Sequence, residues 1–216
     1  MSTLEVGKIV PATGTAITLG DSGDTFTIPA SATLDVNGTI DVTGATVTGL
    51  TTGKILQVVQ SVKTDTASTT VDTGTFADIT GTDQAGAGSV FCVKITPAAT
   101  TSKILVSWNF ILSTGSNNTN INFLLDRNSV NPLLGDAAGD RIRTSGEFVN
   151  TSWDGMGSST GQYLDSPSST SELTYKLTWS QNNTSATAYI NRSGEDTDAI
   201  DYQRSASTIT VVEIGA

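Results

Sequence analysis

Leu173-Thr174-Tyr175-Lys176-Leu177-Thr178-Trp179 decides the fold class. In an extended chain successive side chains point to opposite faces. Leu173, Tyr175, Leu177 and Trp179 therefore share one face, and Thr174, Lys176 and Thr178 the other. A helix would scatter the same four bulky residues around its circumference. Upstream, Val106, Trp108, Phe110 and Leu112 repeat the alternation. Both runs predict half-buried strands, and their aromatic residues are read as core rather than as a ligand site.

Outward from these runs, strands are expected at 55–62, 71–79, 89–96, 103–112, 120–125, 130–134, 141–150, 161–164, 173–180, 186–191 and 208–214. Gly, Asn, Asp and Ser turns separate them. Short strands at this spacing predict an all-β fold with a jelly-roll-like β-sandwich. The strand at 55–62, Ile-Leu-Gln-Val-Val-Gln-Ser-Val, carries apolar residues on both faces and predicts partial burial on both. A strand that runs on to Ile214 suits a compact C-terminal head.

Composition agrees. Among 216 residues, Ser and Thr number 61 and Gly 21. Apolar residues make 37%, below the globular norm of roughly 45–50% but enough for a core. Charged residues make only 15%, which argues against a charged disordered chain. Runs of strong helix formers are scarce.

Residues 1–53 read differently from 54–216. Their only aromatic residue is Phe26, whereas all three Trp and all four Tyr fall in 54–216. Thr51-Thr52-Gly53 is the expected joint between an N-terminal anchor and shaft and a C-terminal head. In the first part apolar residues recur as i, i+2 pairs: Ile17/Leu19, Phe26/Ile28, Leu34/Val36 and Ile40/Val42. Turn residues separate the pairs, and Leu34-Asp35-Val36-Asn37-Gly38 nearly repeats as Ile40-Asp41-Val42-Thr43-Gly44. Near-repetition at short period is the pattern of β-solenoids and fibre shafts. Strands of two apolar residues cannot enclose a core alone. Identical chains wound together can, because each pair then meets its copies on an axis. The eight paired residues are the expected shaft core; the other reading of this segment is a linker. Residues 1–14 carry Leu4, Val6, Ile9 and Val10 without a turn-bounded repeat. They read either as an arm that adds a strand to a partner's edge or as a frayed terminus.

Several functions are excluded by residue type. With no His, no Ser-His-Asp triad, Cys-His dyad or His metal site exists. Gly20-Asp21-Ser22-Gly23 looks like a protease nucleophile segment, but it has no base to activate it. The single Cys, Cys92, allows no internal disulfide and is expected as a small buried hydrophobe. A net charge of −10 with only 11 scattered cations disfavours nucleic acid and anionic membrane. No apolar run is long enough to span a bilayer, so no membrane insertion is expected. The start lacks the cationic and apolar regions of a signal peptide. Gly53-Lys54 lacks the remainder of a P-loop.

Four pieces then fall in a familiar order: Leu50-Thr51-Thr52-Gly53-Lys54-Ile55-Leu56-Gln57-Val58-Val59-Gln60, Val71-Asp72-Thr73-Gly74, Ile95-Thr96-Pro97 and Ser102-Lys103-Ile104-Leu105-Val106. With the upstream Leu-Asp-Val-Asn-Gly repeat, the chain resembles short fibre and tail-fibre-like structural proteins of marine tailed bacteriophages. The resemblance rests on residues 30–110. It implies a homotrimeric virion component with an N-terminal anchor and a β-rich C-terminal head, assembled in the cytoplasm of the infected bacterium. Its partners would be its own copies, capsid or tail proteins, and a host surface glycan. It implies no cofactor.

Three candidate sites remain. Residues 150–160 read as a long loop, where Trp153 beside Asp154 would stack on a sugar face while polar groups take its hydroxyls. Tyr163 lies just beyond. The competing and favoured reading is that Trp153 plugs the end of the sandwich or a subunit interface. Glu195, Asp196, Asp198 and Asp201, and separately Asp136 and Asp140, offer hard oxygen ligands. Their spacing fits no EF-hand, and they read better as solvated turns. Glycosidase action needs two convergent carboxylates, and no pair is singled out. The expected function is therefore non-enzymatic adhesion by a virion appendage, with a purely structural head or tail decoration as the alternative.

Overall fold

Ile104, Val106, Trp108, Phe110 and Leu112 alternate along β5 (Lys103–Thr114); all five are buried, while Lys103 and Asn109 face outward. In the computed structural model this strand is the centre of one of two six-stranded sheets. The structure describes residues 14, 21, 23–38, 42, 54–72, 74–150, 152, 155–183 and 186–215. Among these the regular elements are all β-strands, with no helix. The chain divides into two units, Met1–Leu50 and Thr51–Ala216, and the strands lie in the second.

The first sheet joins β5 to β1 (Ile55–Lys63), β2 (Ala67–Thr69), β9 (Gly157–Asp165), β11 (Ala188–Ile190) and β12 (Ser207–Ile214). The second contains β3 (Ala77–Asp78), β4 (Cys92–Ile95), β6 (Thr119–Arg127), β7 (Val130–Leu133), β8 (Gly146–Asn150) and β10 (Leu173–Gln181). Four antiparallel pairs are nested in the sequence: β1 with β12, β4 with β10, β5 with β9, and β6 with β8. β12–β5 and β10–β6 ladders then stitch the pairs side by side, giving the orders β1-β12-β5-β9 and β4-β10-β6-β8.

The inner faces of the two sheets share one core. Leu173, Tyr175, Leu177 and Trp179 of β10 are buried on a single face, as their alternation predicts. Phe110 of the first sheet meets Phe123 of the second edge-on, with centroids 6.4 Å apart. Phe91 joins them at 5.4 Å from Phe110. Each fully buried side chain of this size stabilises the fold by roughly 1.5–3 kcal/mol, and the edge-to-face geometry adds to that.

Three expected strands differ in the structure. The span 71–79 is broken at Gly74, whose φ of 90° belongs to the left-handed region. Thr75 N–H closes a turn onto Asp72 C=O, leaving only the two-residue β3. The span 141–150 starts late, because the backbone N–H of Arg141 donates to Ala138 C=O and the Arg143 guanidinium to Gly135 C=O. Conversely, β9 begins at Gly157 rather than 161, so the last third of the expected 150–160 loop is ladder. Short β2 was not expected at all.

In the first unit every described residue is exposed and none is in a strand. Two turns are closed by backbone bonds, Asp24 N–H to Asp21 C=O and Ala32 N–H to Pro29 C=O, each 3.0 Å.

Candidate functional site

The paired apolar residues of the N-terminal unit are the first candidate. Phe26 is 68% exposed and Leu34 62%; Ile28, Val36 and Val42 are also exposed. Five of the eight expected shaft residues are thus described, and one chain leaves all five in solvent. Ile17, Leu19 and Ile40 lie outside the described residues, as do the anchor candidates Leu4, Val6, Ile9 and Val10.

The glycan candidate is placed only in part. Trp153 and Asp154 lie outside the described residues. Tyr163 stands mid-strand in β9 and is half-buried against the core, not on a loop. Two residues on, Asp165 is 3% exposed. One of its carboxylate oxygens accepts hydrogen bonds from the Arg127 guanidinium at 2.6 Å and the Tyr175 hydroxyl at 2.7 Å. Arg127 and Tyr175 come from β6 and β10 of the opposite sheet, so this carboxylate clasps the two layers. Burial pushes the Tyr175 phenol well above its usual range, and the bond to Asp165 reinforces the shift.

A second buried acid lies on an inner strand of the same sheet. Glu213 of β12 is fully buried. It accepts from the Gln57 side chain at 2.6 Å and from the Ala98 N–H at 2.7 Å. Burial alone would raise its pKa, but the Ser102 hydroxyl beside it and the hydrogen bonds from Gln57 and Ala98 outweigh it and hold the carboxyl below the usual range.

In the acidic turn 195–201 one carboxylate is held by two cations. Asp196 pairs with Arg192 at 3.0 Å and with Arg204 at 2.6 Å. Among the described residues no three potential ligands converge on a metal position. A shallow cleft of about 240 Å³ lies over this turn, between Asp198, Tyr202 and Arg204. At its tip Ile200 is 94% exposed.

On the second sheet, a cleft of about 250 Å³ is lined by Ala87, Val90, Cys92, Lys94 and Lys176. Both ammonium groups are already paired, Lys94 with Asp83 at 2.9 Å and Lys176 with Asp78 at 2.6 Å. The Lys94 bond, joined by the Ala87 and Ala85 N–H groups, holds the Asp83 carboxyl below its usual range. Cys92 is buried, as expected, and desolvation pushes its thiol up, which makes it a poor nucleophile.

Neither glycosylation-type sequon at Asn150 or Asn191 is accessible. Asn191 is fully buried at a φ of 65°, and its amide donates to Lys63 C=O at 2.8 Å and Asp65 C=O at 2.9 Å. The outward side chains of β1, β12, β5 and β9 form a further candidate surface. The signal was present in the two-faced apolar pattern of 55–62. In one chain only the inner face of that strand is covered, and Val58 and Val62 stay exposed.

Searches against protein-family models and curated proteins found no match for this chain.

Proposed function

We propose that this chain is a virion fibre or appendage protein of a tailed bacteriophage. It acts as a homotrimer, anchored to the particle by its N-terminus and presenting a jelly-roll-like head to the host surface. The observation that carries the reading is the exposure of Phe26, Ile28, Leu34, Val36 and Val42 in one chain. Paired apolar residues at period two have no inner face to occupy in a single copy, and neighbouring copies supply one. The nested pairs β1:β12, β4:β10, β5:β9 and β6:β8 support the jelly-roll assignment, since rolling one long hairpin generates that fold.

The proposed mechanism is adhesion without chemistry. The buried acids are all committed, Asp165 and Glu213 to clasping strands and Asp83 to Lys94, and the head's loops are the parts free to vary. Three heads on one stalk let weak contacts add, because a bound head holds its neighbours at high effective concentration. A net charge of −10 keeps a densely decorated particle soluble.

Cryo-EM of the particle, with antibody labelling of this chain, tests the reading. Threefold projecting density is expected, together with binding of the purified full chain to host cells. Threefold density without cell binding would replace adhesion by structural decoration. A chain absent from the particle would end the proposal.

A further inference from the structure

Strand register places four apolar side chains in one line across the outer face of the first sheet. Val58 of β1 pairs with Val212 of β12, Val212 with Leu105 of β5, and Leu105 with Leu164 of β9. Their neighbours Val59, Val211, Val106 and Tyr163 point to the core side, so the row stands on the opposite, solvent side. Val58 is 59% and Leu164 47% exposed. Ile214 and its register partner Ile55, itself 68% exposed, extend the patch at the same end of the sheet. The next row, Gln60, Thr210, Ser107 and Gln162, is polar and uncharged.

Charge decides what fits this face. The chain carries 21 acids against 11 bases. On β1, β5, β9 and β12 the only acids are Asp165 and Glu213, and both are turned inward. The one charged outward side chain on these strands is Lys103. The outer side of the other sheet is different, with Asp78, Lys176, Lys94 and Glu147 on it. A strongly acidic molecule has thus cleared its acids from one face and placed an apolar line there. Two copies can approach through that face without carboxylate repulsion, and an apolar core with an uncharged polar rim is the make-up of a protein interface. A nucleic acid or an anionic membrane would need cations that the face lacks.

From this we infer that the outer face of β1-β12-β5-β9, centred on Val58, Val212, Leu105 and Leu164, is where the heads of neighbouring copies pack together. The occupant is a second copy of this chain, so the inference rests on the proposed self-association and gives it a surface. It also accounts for the two-faced pattern of 55–62: one side of β1 packs on its own core and the other on a neighbour.

Two sets of full-length variants test it. Val58→Glu with Leu164→Glu puts charge on the face at positions already exposed, so folding is not at stake in one chain; Val149→Glu, on exposed β8 of the other sheet, is the control. Sedimentation should show the concentration for half-dissociation of the double variant rising by about tenfold or more, with the control unchanged. Equal behaviour of the two would overturn the inference while leaving self-association intact. A wild-type chain that sediments as a monomer would overturn both. In the second set, Val58→Cys, Leu164→Cys and Val149→Cys are labelled with maleimide. Protection at 58 and 164 that disappears on dilution, with 149 always reactive, is expected. Equal labelling at all three, or protection independent of concentration in a monomer, would rule out a second copy as the occupant.

Discussion

Arg127 and Asp165 stand on different sheets and meet at 2.6 Å, with the Tyr175 hydroxyl on the same carboxylate oxygen at 2.7 Å. The acid is nearly fully buried, whereas Arg127 keeps a fifth of its side chain in solvent. Removing the carboxylate strands a guanidinium and a phenol in the layer between the sheets. Asp165→Ala should therefore cost roughly 2–4 kcal/mol, read from chemical denaturation. Arg127→Ala should cost a similar amount, because it leaves the buried acid without its cation and with only the Tyr175 hydroxyl. A loss below about 0.5 kcal/mol for both would place the clasp outside the stability of the fold.

Gly161 faces Trp108 across the β5–β9 ladder. A Cβ at 161 would sit 2.0 Å from the indole Cζ2, well inside van der Waals contact. Gly161→Ala must displace a ring that packs on the core, and overpacking of this kind costs about 1–3 kcal/mol. The near-ultraviolet circular dichroism of the head should change with it. An unaltered spectrum and midpoint would contradict this packing.

Acid should weaken the head through Glu213. Its folded carboxyl sits below the ordinary value, whereas in the unfolded chain it titrates near pH 4.3. The unfolded state therefore takes up the proton first. The contribution is complete above the unfolded value and is lost as pH falls through the folded one. Asp83, lowered by Lys94 and two backbone N–H groups, acts in the same direction. Thermal midpoints between about pH 6 and 3 should fall more steeply for wild type than for Glu213→Gln. Parallel slopes would contradict the assignment.

The two units should respond separately to substitution. Phe26→Ser with Leu34→Asn removes apolar bulk that one chain leaves exposed, so the unfolding midpoint of the head should stay within about 0.5 kcal/mol of wild type. Association should weaken markedly by light scattering. Unchanged association would show that this unit reads as a linker.

The head was legible where large apolar residues alternate with polar ones. Leu173, Tyr175, Leu177 and Trp179 all proved to be core, as did Val106, Trp108, Phe110 and Leu112. The first half of β9 was not legible, for a physical reason. A Cβ at Gly157 would meet the Phe148 ring at 2.7 Å, and Gly161 lies under Trp108. These inward positions are small because neighbouring rings fill the space, so the strand shows no bulky period of its own. The clasps at Asp165 and Glu213 were equally hidden: Glu213 and Gln57 are separated by 156 residues, and no local pattern links them. Trp153 drew attention by its isolation in the sequence, whereas the apolar line from Val58 to Leu164 exists only once four strands are in register.

The central claim is that the N-terminal apolar pairs are buried by copies of the same chain. Sedimentation equilibrium of the full-length protein tests it most directly. A particle of three times the 22.3 kDa chain mass is predicted. A single species of 22.3 kDa over the same concentrations would contradict it.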